Sequence, residues 1–62
     1  MRNKKILEEE IIEFVRLNQP VGLGHILAGL NLSHYSGAKI VLGLIQKEKL
    51  KYSDSEKRIL IK

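Results

Sequence analysis

The side chains able to do chemistry in this 62-residue chain fall into five groups. Tyr35, Ser36 and Lys39 lie within five residues and offer two hydroxyls and an ammonium, donors suited to phosphate oxygens and to the acceptor edges of bases. Lys47, Lys49, Lys51, Lys57 and Arg58 supply fixed positive charge further along. His25 and His34 stand nine residues apart, with no carboxylate or cysteine at ligand spacing beside either, so no metal site and no cofactor is expected. Ser33 precedes an apolar helical pattern and reads as a helix cap rather than a nucleophile. Glu8, Glu9, Glu10 and Glu13 belong to the solvent side of a helix, where they favour solubility over acid–base work. The VGLG run at 21–24 has neither the length nor the lysine of a phosphate-binding loop. No catalytic constellation remains, and the chain is not expected to be an enzyme.

Recognition must then be sought in the distribution of charge. Residues 1–19 carry four bases and four acids, and residues 20–32 carry none. The remainder holds seven bases against three acids, so the whole net charge of +4 resides there. Such asymmetry favours a polyanionic partner. The length fits a single domain over 1–62, near the lower limit for a core without staples, and self-association would add burial. The absence of cysteine gives no sign of an oxidising compartment, and glutamates interrupt the apolar residues near the start. The expectation is a cytoplasmic protein with no membrane association.

The elements that must position these groups follow from periodicity. Asn3 suits an N-cap for a first helix over 3–18, ended by Asn18-Gln19-Pro20, since a residue before proline is driven out of helical backbone. On that helix Ile6, Leu7, Ile11, Ile12, Phe14, Val15 and Leu17 spread over an arc of roughly 240°, wider than one core can cover. A second helix is expected from His25 to Leu30, capped by Gly24, with Ile26, Leu27 and Leu30 inward and Gly29 and Asn31 at its end. Ser33 caps a third helix extending to about Lys47. Its core face is expected to hold Ala38, Val41, Leu42 and Ile45, widened by Ile40 and Leu44. The polar stripe opposite carries Tyr35, Ser36, Lys39, Gly43, Gln46 and Lys47. From Lys49 the period becomes two: Leu50 and Tyr52 alternate with Lys49, Lys51 and Ser53, and Ile59 and Ile61 alternate with Arg58, Leu60 and Lys62, around a turn at 54–57. A short third strand over Val21–Leu23 is a further expectation.

Residues 19–53 resemble the winged helix-turn-helix modules of small prokaryotic and archaeal transcriptional regulators, of the IclR-like and MarR-like kind. The resemblance rests on Pro20, Val21, Leu23, Ile26, Leu27, Leu30, Leu32, Ser33, Val41, Leu44, Ile45, Leu50 and Tyr52. Where those modules usually have a glycine after the third helix, this chain has Glu48-Lys49. The resemblance implies an α+β fold, a winged helix-turn-helix of three helices plus a β-hairpin wing. It also implies sequence-specific binding of double-stranded DNA, with the third helix in the major groove and the wing on the phosphate backbone.

The expected DNA-contacting residues are Ser33, Tyr35, Ser36, Lys39, Lys47, Lys51, Lys57 and Arg58. The same residues also fit a solvated helix face and a charge-decorated edge hairpin that resists aggregation. Gly37 reads as a close helix crossing, whereas Gly43 fits either a crossing or an approach of backbone to DNA. The surplus apolar arc of the first helix is expected to form a homodimer through Ile6, Ile12 and Leu17. It equally fits a winged-helix module that binds another protein within a larger assembly. No small-molecule ligand is implied.

Overall fold

The computed structural model describes residues 3–53 and 58–62. Three helices, α1 (Lys4–Asn18), α2 (Leu23–Gly29) and α3 (His34–Gln46), precede an antiparallel pair of strands, β1 (Leu50–Tyr52) and β2 (Ile59–Ile61), giving an α+β architecture. The expected turn at 54–57 lies outside the described residues.

Local chemistry sets the helix ends. The Asn3 Oδ1 accepts the Ile6 N–H at 2.9 Å, and the Ser33 Oγ accepts the Ser36 N–H at 3.1 Å, each satisfying a first-turn donor. α1 stops at Asn18 because Gln19, before Pro20, is extended. α2 begins earlier than expected. Gly22 rather than Gly24 is its N-cap, and the Gly22 carbonyl accepts the Ile26 N–H at 3.1 Å. This draws Leu23 into the helix and onto the core, leaving only Val21 of the expected third strand.

Two helices end in the same way. After α2, Asn31 has φ 55° and the Leu32 N–H reaches the Leu27 carbonyl at 2.8 Å. After α3, Glu48 has φ 63° and the Lys49 N–H reaches the Leu44 carbonyl at 3.0 Å. Both are left-handed terminations that satisfy orphaned carbonyls. Asn31 suits that backbone, as expected. Glu48 occupies it in place of the usual glycine, at a conformational cost of about 1 kcal/mol.

The strand register is Leu50 with Ile61, Lys51 with Leu60 and Tyr52 with Ile59. The inner side of the hairpin meets Ile11 and Val15 of α1, Ile26 of α2, and Val41 and Leu44 of α3 in one buried cluster that includes Val21, Leu50 and Ile59. On its other edge β2 is held by a reciprocal pair. Val21 N–H donates to Ile59 O at 3.0 Å, Ile59 N–H donates to Val21 O at 2.7 Å, and the Gln19 Oε1 accepts the Ile61 N–H at 2.9 Å.

The inner side of α3 differs from expectation. Gly37, Val41 and Leu44 are its buried residues, while Ala38, Ile40 and Ile45 are half-buried. Leu42, expected in the core, is 46% exposed. The face is turned by roughly 80° from the one expected, at 100° per residue. Gly37 explains the rotation, since a Cβ built there would lie 2.2 Å from Leu27 Cδ2. Glycine lets α3 approach α2 this closely without displacing the Leu27 side chain.

Candidate nucleic-acid interface

The outward side of α3 is built from residues three and four apart: Tyr35, Lys39, Leu42 and Gln46, all exposed. Tyr35 is 78% exposed, so it projects from the surface rather than packing on the core. The Lys39 ammonium lies 5.6 Å from the Tyr35 ring centroid, a cation–π contact that orients both side chains on this face. Ser36 is exposed beside them, and Ser33 sits at the helix start with its oxygen engaged as the cap.

A shallow groove joins this face to α1. It is lined by Lys4 and Leu7 of α1 and by Tyr35, Ser36, Lys39 and Ile40 of α3. Lys4 was absent from the sequence expectation because the first helix is neutral as a whole. Its first-turn lysine reaches the α3 surface only through the packing of α1 against α3, which no local pattern reports.

Lys47 lies elsewhere. It is at the α3 C-cap, in a second cleft lined by Lys4, Lys5, Glu8, Glu9, Ile12, Leu44 and Lys49, and its ammonium is 3.1 Å from Glu8 Oε2. Lys47 therefore joins α3 to α1 and is set apart from the Tyr35–Lys39 cluster. Four lysines surround this cleft against two glutamates, so the positive potential continues from Lys39 past Lys4 towards Lys49.

On the hairpin, Lys51 pairs across from Leu60, with the Lys49–Lys62 and Ser53–Arg58 hydrogen bonds at either end. Period-two geometry places Lys49, Lys51, Arg58 and Lys62 on one side of the ribbon, opposite the buried Leu50 and Ile59. Lys62 contacts Glu48. Lys57 lies outside the described residues.

The three expected interface residues of α1 do not share a face. Ile12 packs against the core cluster. Ile6 and Leu17, 44% and 67% exposed, border an apolar groove with Phe14 and Leu30, rimmed by Glu9, Glu10 and Glu13. The Arg16 guanidinium donates to the Glu13 carboxylate, with Nε 3.0 Å from Oε1. That hydrogen bond holds the Glu13 carboxyl below its ordinary range, against a smaller opposing effect of desolvation, and raises Arg16.

Among the described residues no group of histidines, cysteines and carboxylates could hold a metal ion, and no helix is long and apolar enough to cross a membrane. Comparison with protein families, with characterised proteins and with solved structures gives no match to this chain.

Proposed function

We propose that this chain is a winged helix-turn-helix protein that binds double-stranded DNA and regulates transcription. In this reading α2, the four residues 30–33 and α3 form the helix-turn-helix, and β1 and β2 form the wing. The observation that carries it is the outward side of α3, where Tyr35, Lys39 and Gln46 face solvent in one row with Ser36 and Lys4 beside them. Such a row fits the major groove, where lysine and glutamine reach base edges and a tyrosine hydroxyl reaches phosphate. Lys49, Lys51 and Arg58 on the outer side of the hairpin supply phosphate contacts that carry no sequence information.

The decisive experiment is duplex binding at two salt concentrations. Each phosphate neutralised contributes about 0.9 to the slope of log affinity against log salt, so affinity is expected to fall steeply as salt rises. Binding that is weak and indifferent to salt would remove the proposal.

The exposed Ile6 and Leu17 favour a second element of this reading, a homodimer in which another copy covers the α1 groove. A two-fold pair would present two α3 helices for half-sites about 34 Å apart. Sedimentation at micromolar concentration is expected to show the dimer, and Leu17→Glu to abolish it. A monomeric parent would instead favour a module whose α1 groove binds a different protein in a larger assembly.

A further inference from the structure

Leu42 is the one residue of the outward row on α3 that has no polar group, and it stands in the middle of it. Lys39 precedes it by three residues and Gln46 follows it by four, so all three lie on one side of the helix. A lone surface leucine is ordinary and by itself says nothing. Its company is informative, since an apolar contact between two hydrogen-bonding side chains matches one feature of the major groove. Thymine alone among the four bases offers a methyl group there, next to its own O4 acceptor and beside the N6 donor and N7 acceptor of the paired adenine.

Resting on the DNA-binding reading above, we infer that Leu42 determines specificity by packing on the 5-methyl group of a thymine. Lys39 supplies a donor on one side, and Gln46 is suited to an adenine about 6 Å further along the helix, two base-pair steps or fewer away. The target of α3 is then a stretch containing A·T pairs, whose thymine methyl is desolvated against the leucine.

A 20-base-pair duplex enriched from a random pool by the full-length chain provides the probe. Deoxyuridine then replaces each thymine in turn, removing the methyl and nothing else. At one position the parent is expected to lose about fourfold in affinity, the equivalent of about 0.8 kcal/mol for one buried methyl. Leu42→Ala is expected to bind the thymine and deoxyuridine forms alike, while Leu42→Met retains the difference. Because Leu42 is exposed, thermal unfolding of both variants should stay close to the parent. A parallel series with 5-methylcytosine in place of cytosine separates the two sources of such a methyl, and a gain there with a flat deoxyuridine series would overturn the assignment to thymine. An enriched duplex with no deoxyuridine-sensitive position, or one whose sensitivity survives in Leu42→Ala, would overturn the inference and leave DNA binding standing. A pool that yields no salt-sensitive binding would remove both.

Discussion

The inner and outer sides of α3 are made from the same thirteen residues under opposite constraints. The inner side, Gly37, Val41 and Leu44, is fixed by sterics, because Leu27 of α2 leaves no room for a Cβ at position 37. The outer side, Tyr35, Lys39, Leu42 and Gln46, is exposed, and no neighbouring element buries it. Gly43 gives the contrast its sharpest form, since it lies six residues beyond Gly37 and a Cβ there would touch nothing within 4 Å. One glycine is required by packing. The other is a residue whose helix penalty of about 1 kcal/mol the fold itself does not explain.

Substitution at Gly37 is expected to have the largest effect. Gly37→Ala should destabilise the domain by about 1–3 kcal/mol, because overpacking against Leu27 outweighs the gain in helix propensity. Thermal unfolding should fall by several degrees per kcal/mol for a domain of this size. A rise in melting temperature would mean that Leu27 yields and that the inner side is not sterically fixed.

On the outer side the readout changes from stability to affinity. Lys39→Ala and Tyr35→Ala should each weaken duplex binding by about 1–3 kcal/mol if the side chain meets a base edge, with melting nearly unaltered. Since the ammonium lies over the ring, the two losses should not add in the double variant. If both single variants bind duplex DNA like the parent, α3 does not read DNA.

Two smaller effects sharpen the contrast. Gly43→Ala should stabilise the domain by up to about 1 kcal/mol. If it also lowers DNA affinity, the glycine serves a close approach of backbone to the duplex. At the helix end, Glu48→Gly should relieve left-handed backbone and stabilise by about 1 kcal/mol, less whatever the exposed Lys62 contact contributes. Denaturant midpoints would resolve both.

Capping chemistry and alternation were legible in the sequence because they are local. Asn3, Asn31 and Ser33 mark their helix ends, and the period-two segments of the hairpin fall on the observed strands. The phase of α3 was not legible. Ala38, Ile40, Val41, Leu42, Leu44 and Ile45 cover so much of the helix that hydrophobicity alone has no unique direction. Gly37 carries almost no weight on such a scale, yet its spacing with Val41 and Leu44, at i, i+4 and i+7, was the available signal. Within the candidate interface, Tyr35, Ser36 and Lys39 were readable as neighbours on one helix. Lys4 was not, because its place beside them depends on how two helices pack, and neither was the separation of Ile12 from Ile6 and Leu17.

The reciprocal hydrogen bonds between Val21 and Ile59 join residues 38 apart and enclose α2, α3 and β1 in a single closed loop. Closing such a loop is an entropic barrier that local helix formation does not meet, so this junction is expected to form late in folding. Once made, it is expected to place the Val21 and Ile59 amides among those that exchange with solvent only when the whole domain opens, which hydrogen exchange would check. The hairpin is consequently not a hinged appendage. Its outer cations keep their place relative to α3, so in the proposed DNA complex helix and hairpin would meet the duplex as one template.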